Sequence, residues 1–208
     1  TWLPGEYWSC DLFGPVLKSK GGARYVAFEI DTKSRFVYAK PLQEKTDNYQ
    51  AMIEVIQDAK ARSGRPMRFF KSDGDGIFTG KEAAAIYAKY SLRHIQSAPG
   101  DSASNDIVER TIRTMAELTT TNLLHAGAPP SLWAEAMCMV VFVWNNLAVY
   151  PKGDGHISRT AVLEGHTRLF DLSVLRAFGT ECYWMLTLQK KGGKKSAMHP
   201  KANAGVVV

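Results

Sequence analysis

Several things are scarce in this chain. It has three cysteines, Cys10, Cys138 and Cys182, far apart and odd in number. That argues against a disulfide framework and for a reducing compartment. Its five histidines, at 94, 125, 156, 166 and 199, show no Cys/His zinc spacing. The longest apolar run, Met137 to Trp144, is too short to cross a bilayer, and no secretory signal opens the sequence, so no membrane role is expected. Acidic residues stop at Glu181. From Cys182 to Val208 there are five lysines and no Asp or Glu, so five of the six net positive charges lie in that tail. Such a tail favours a polyanionic partner through counterion release from phosphates.

What is present fits one domain with an appendage: 208 residues, 45% apolar and 22% charged. Tyr7 to Phe13 alternates, with Trp8, Cys10 and Leu12 on one face and Ser9 and Asp11 on the other. Arg24 to Ile30 and Arg35 to Lys40 read as a hairpin. Asp47, with Gln50 three residues on, is placed to cap a helix that Ser63-Gly64 stops. Met67 to Phe70 and Leu92 to Ile95 read as strands around a helix over 81–90. Asn105 to Leu124 reads as a longer helix, with Val108, Ile112, Met115 and Leu118 or Thr119 facing inward. On this pattern Glu109, Arg110, Arg113 and Glu117 face outward. Pro129-Pro130 breaks the chain, and Ser131 is placed to cap a nearly all-apolar helix to about Leu147. Residues 151–168 read as a loop-rich crossing, and Thr180 to Leu188 and Ala204 to Val208 as β-like segments around a lysine loop. The order predicts an α/β protein: a mixed sheet covered by helices.

"KSDGDGIFTG", at 71–80, puts two acids in a glycine-rich turn after a strand. Singly, each acid here has an ordinary role. Asp73 or Asp75 can shape a turn, Asp11 can be solvated on an edge strand, and Glu109 can pair with Arg113. Together they make an acidic set drawn from three elements, as metal-dependent phosphoryl-transfer sites require. Thirty-five residues separate Asp73 from Glu109. An EF-hand counted from Asp73 fails, because its sixth position is Phe78 and its twelfth Ala84. An aspartyl phosphatase of the haloacid dehalogenase type, with Asp73, Asp75 and Asp101 or Asp106, leaves only 25 residues where several βα units are needed.

"WSCDLFGP", "SDGDGIF" and "NDIVERTIRTM" together resemble the catalytic core of retroviral-type integrases, in the Ty1/copia branch. "PPSLWAEAMCMVVFVWNNL", "LRAFGTECY" and "HPKANAGVVV" extend the likeness over nearly the whole chain. The resemblance implies a ribonuclease H-like mixed five-stranded sheet over residues 1–150. A connection and small β-rich appendage would occupy 151–208, the whole being part of a longer polyprotein product. It implies Asp11, Asp73 and Glu109 as catalytic residues holding two Mg²⁺ (or Mn²⁺) ions. It implies DNA as partner, both element ends and target, together with homo-multimers and action in the nucleus after a cytoplasmic particle stage. Lys190, Lys191, Lys194 and Lys195, with Arg110 and Arg113, are the candidate DNA contacts. The sequence departs from the family at Gly74 and Ile77, where Asn and Glu are usual, and in the loop Asp101 to Asp106. The other candidate function is therefore a catalytically inactive or domesticated DNA-binding or assembly module on the same fold.

Overall fold

The computed structural model describes residues 2–97, 102–152, 155–185 and 202–206. β1 (Tyr7–Phe13), β2 (Tyr25–Asp31) and β3 (Val37–Leu42) form an antiparallel meander, with Cys10 opposite Glu29 and Glu29 opposite Tyr38. β4 (Phe69–Ser72) lies parallel to β1 on its other side, and β5 (Arg93–Gln96) parallel to β4. The sheet order is β3-β2-β1-β4-β5. Parallel neighbours need crossovers, and helices supply them. α1 (Asn48–Ser63) leads from β3 to β4; α2 (Gly76–Thr79) and α3 (Lys81–Lys89) lead from β4 to β5.

The two faces of the sheet carry separate cores, as the two-residue period of the strands dictates. Trp8, Cys10 and Phe70 pack with Met52 and Ile56 of α1 and Ile86 of α3. On the opposite face Val26, Phe28 and Ile30 meet Val108 and Met115 of α4 (Ser102–Ala126) and Met137 and Val141 of α5 (Trp133–Asn146). Trp8, Phe28, Phe70, Phe78 and Met115 are almost fully buried. Each such side chain contributes about 1.5–3 kcal/mol by leaving water. Thr119, buried, completes the inner stripe of α4, and Leu118 points outward. Leu163, on α6 (Arg159–Glu164), is fully buried in the first core.

Local chemistry differs from the sequence expectation at four places. Asp47 does not cap α1 with Gln50. Its carboxylate accepts from the Glu44 N–H at 2.9 Å, closing a capping box one turn earlier, and Gln50 turns to Glu54. Gly64 does stop α1, at φ 67, with its N–H on Lys60 O. Ser131 lies inside a 3₁₀ turn, Pro130–Leu132, and α5 starts without a side-chain cap. The 151–168 region is not mainly loop: β6 (Ala148–Lys152) pairs with β7 (Gly155–Ser158), and Ser158 caps α6 through the Ala161 N–H. Strand β4 begins two residues later than the apolar run suggested, at Phe69. Farther on, β8 (Glu181–Met185) pairs antiparallel with β9 (Ala202–Val206). Among the described residues no helix is long and apolar enough to cross a membrane.

Candidate active site

β1 and β4 run parallel and side by side, with Ser9 level with Lys71. Asp11 and Asp73 each lie two residues farther on, so both acids stand where adjacent strands approach the same edge of the sheet. Asp11 shares a face with Ser9 and Phe13, the face over which α4 packs. That packing brings Glu109, one residue after the buried Val108, to the side of α4 nearest β1. Asp11 and Glu109 both line an open cleft of about 780 Å³, together with Gly14, Ile112, Arg113 and Glu117. Asp73 does not line that cleft, but its charge reaches Asp11.

The electrostatics record the convergence. Burial pushes the Asp11 carboxyl up to about 6, and the charges of Asp73, Glu109 and Asp75 push the same way, against one hydrogen bond from the Leu12 N–H at 2.7 Å. Asp75 behaves oppositely. The Ile77 N–H, then the Lys45 ammonium, hold it below the usual carboxylate range. Asp75 is the N-cap of α2, accepting from Ile77 at 3.1 Å, and it pairs with Lys45 at 3.2 Å. Among the described residues Asp73 accepts only the Asp75 N–H, at 3.1 Å through Oδ1. Behind this turn Ser72 donates to the Asp73 carbonyl and meets His94 Nε2 at 2.8 Å. His94 also stacks on Tyr87, so it is a held strand histidine.

The donors suit a hard divalent cation in kind: all are carboxylates, and their mutual repulsion around Asp11 is what a cation relieves. They are not gathered into a finished cage. Among the described residues no three His, Cys, Asp or Glu side chains form a group ready to hold a metal ion.

The remaining candidates divide. Arg113 lines the Asp11 cleft. Arg110 pairs with Asp106 on its own helix and leans to the other flank of α4. Lys190, Lys191, Lys194 and Lys195 lie outside the described residues, as does Asp101. Glu109 forms no ion pair with Arg113 or any other described residue, which removes the simple helix-pair explanation of that acid. Glu117, assigned by periodicity to the outer face, stands at the cleft wall. The pairing of Lys45 with Asp75 has no signal in the sequence, because a 30-residue separation hides it.

No family model matches the chain. Curated relatives do. A Pol polyprotein from the tobacco transposon TNT 1-94 is 28% identical over 68% of the chain. That from the Arabidopsis thaliana transposon RE1 is 26% identical over 88%, and a Saccharomyces cerevisiae Ty1 Gag-Pol polyprotein is 25% identical over 99%. The chain spans 11% to 12% of the length of these relatives. Among solved structures, the HTLV-2 integrase catalytic core domain in complex with magnesium superposes with a TM-score of 0.57 at 21% identity, over 77% of this chain and 97% of that one. A simian T-cell lymphotropic virus intasome chain gives 0.64 at 18% identity, over 98% and 68%. The bovine immunodeficiency virus integrase core gives 0.57 at 16% identity, over 77% and 95%.

The chain is thus similar in sequence to Pol polyproteins of Ty1/copia-type elements and in fold to retroviral integrase catalytic cores. The observed sheet itself excludes the phosphatase alternative, whose sheet would lack the β1–β3 antiparallel meander. The likeness to the solved cores concerns the fold.

Proposed function

We propose that this chain is the catalytic part of a DNA integrase that trims element ends and joins the new 3′ hydroxyl to a target phosphodiester. The observation that carries this reading is the placement of the acids: Asp11 and Glu109 line one cleft, Asp73 stands two residues past the β1–β4 pairing, and the Asp11 carboxyl, raised by burial to about 6, feels the charges of Asp73, Glu109 and Asp75. Asp11, Asp73 and Glu109 would hold Mg²⁺ or Mn²⁺. When bound, two such ions would supply Lewis-acid activation of the attacking oxygen and stabilisation of the leaving one. The HTLV-2 core crystallised with magnesium supports that choice of cation.

The rest of the site is positioning. β1 and β4 fix two acids at one sheet edge, and α4, anchored by Val108, Ile112 and Met115, fixes the third. Rigid elements hold reacting groups better than loops do. Arg113 at the cleft offers a guanidinium to a backbone phosphate, a contact that positions without reading sequence. Lys190, Lys191, Lys194 and Lys195 would grip the same backbone. The chain would act as a multimer, within a longer Pol product and in the nucleus.

A second reading, a DNA-binding or assembly module without catalysis, is favoured by one observation, the lack of a ready three-ligand group among the described residues. A strand-transfer assay with Mg²⁺ or Mn²⁺ separates the two. Wild type should join a donor end to target DNA, Asp73→Asn should lose that activity by at least about a hundredfold, and Asp75→Asn should keep most of it. Equal damage from both variants defeats the assignment of Asp73. An inactive wild type that still binds DNA favours the module.

A further inference from the structure

Across α4 from the Asp11 cleft lies a second pocket, of about 260 Å³. Arg35, Arg110, Thr111, Thr114, Trp144 and Arg159 form most of its wall. Thr111 is about 160° around the helix from Glu109, so the acidic and basic sites occupy different flanks of one helix.

Arg159 is only 8% exposed. Its guanidinium stands 3.8 Å from the centre of the Trp144 ring, and one of its nitrogens donates to the Trp144 carbonyl at 2.7 Å. Its Nε–H and the Trp144 indole N–H are both buried and have no acceptor among the described residues. Two orphaned donors in one pocket are costly unless something supplies acceptors. Neither Arg159 nor Arg35 enters an ion pair among the described residues; only Arg110 does, with Asp106. Burial alone accounts for the Arg159 guanidinium lying below the ordinary arginine range, and no carboxylate restores it. Arg35 is held at φ 59 in the turn between β2 and β3, a conformation that Gly or Asn adopts at less cost. Thr111 and Thr114 spend their hydroxyl protons on helix carbonyls, leaving the guanidinium groups as the donors of the pocket wall.

We propose that this pocket is a phosphate site that grips a backbone phosphate of a nucleic acid running along the α4 flank opposite the carboxylates. Planar guanidinium forks match phosphate oxygens two at a time, and the Trp144 face holds one fork in place. The nucleic-acid part of this inference rests on the integrase reading; the preference for a phosphate group does not.

The test uses the full chain, in EDTA so that no divalent metal contributes. Duplex DNA binding is followed by fluorescence anisotropy across a salt series, for wild type, Arg35→Gln, Arg110→Gln and Lys60→Gln, the last on α1 beneath the opposite sheet face. Arg159 is left in place because its stacking ties α6 to α5. Loss of one contact should flatten the log–log salt slope by about 0.9 and weaken binding on the order of threefold. That is the expected result for Arg35→Gln, with Lys60→Gln unchanged. An unchanged slope in both Arg35→Gln and Arg110→Gln overturns the site. Inorganic phosphate, titrated by phosphorus NMR, should broaden with wild type and not with Arg35→Gln. Should it do so while the DNA slope stays fixed, the pocket takes a free anion and the nucleic-acid assignment is overturned. Strand transfer is run on the same protein preparations after exchange from EDTA into Mg²⁺. A wild type inactive there but showing the slope change rejects the integrase reading and leaves the phosphate site intact.

Discussion

Asn145→Ala should be among the more damaging single substitutions in the structure, although Asn145 is remote from the acids. Asn145 is 5% exposed near the end of α5. Its amide oxygen accepts the Val37 N–H at 2.9 Å, and its amide nitrogen donates to the Val37 carbonyl at 2.8 Å. Val37 lies on β3, the edge of the sheet, so one side chain completes the backbone pairing that a sixth strand would otherwise supply. Replacing it with Ala removes two hydrogen bonds worth about 1 kcal/mol each. It also strands a buried N–H and C=O, so the total is about 2–4 kcal/mol. For a chain of this size the expected drop in Tm is roughly 4–16 °C, at about 2–4 °C per kcal/mol. Differential scanning calorimetry on wild type, Asn145→Ala and Asn122→Ala provides the comparison. Asn122 also gives its amide to a carbonyl, that of Leu118, but on the exposed surface of α4. Its loss should fall within about 0.5 kcal/mol of zero. Equal shifts from the two variants would refute the argument that edge closure carries the energy.

Glu29 is buried, its Oε2 has no partner among the described residues, and burial pushes its carboxyl up to about 8. The unfolded chain ionises this group near the ordinary value, so the native state binds the extra proton in the window between there and about 8. Stability should therefore fall as pH rises through that window, by about 1.4 kcal/mol per unit of pKa difference at most. Urea melts of Glu29→Gln should show a flatter decline and a higher midpoint than wild type at pH 8; a parallel decline would contradict it. Gly5 takes φ 89, and a Cβ there would meet Ser63 Cβ at 2.6 Å. Gly5→Ala should cost on the order of 1–3 kcal/mol, read by the same melts. Lys194→Ala should flatten the salt dependence of DNA binding by about 0.9 in log–log slope, and an unchanged slope removes that lysine from the interface.

The strand meander, the helices over 81–90 and 105–124, and the inward stripe Val108, Ile112 and Met115 were legible because period and burial agree in them. Asp11 was legible as facing away from Trp8 and Cys10 for the same reason. What failed was chemistry set by neighbours. Asp47 and Ser131 have cap-forming side chains, but a competing partner for the first and an intervening 3₁₀ turn before the second decide where each helix starts. The β6–β7 hairpin was missed because Pro151 and Gly153 read as loop signals. Arg110 and Arg113 looked equivalent on one exposed helix face. They differ because Asp106 and the α5–α6 side draw Arg110 one way while the Asp11 cleft receives Arg113.

The choice between Asp73 and Asp75, two residues apart in one turn, shows what the coordinates add. Sequence spacing alone nearly fits either acid, at 35 or 33 residues before Glu109. Asp75 already satisfies a helix N-terminus and an ammonium, and both hold it ionised with little acceptor capacity to spare. Among the described residues Asp73 gives one oxygen to a single N–H, and although both acids add charge to the field that raises Asp11, Asp73 contributes more. Asp75→Asn is also a fair control, since Asn caps helices about as well as Asp, and the exposed pair with Lys45 is worth at most about 1 kcal/mol. Loss of strand transfer in that variant, with folding intact, would mean that the engaged acid rather than the available one does the work.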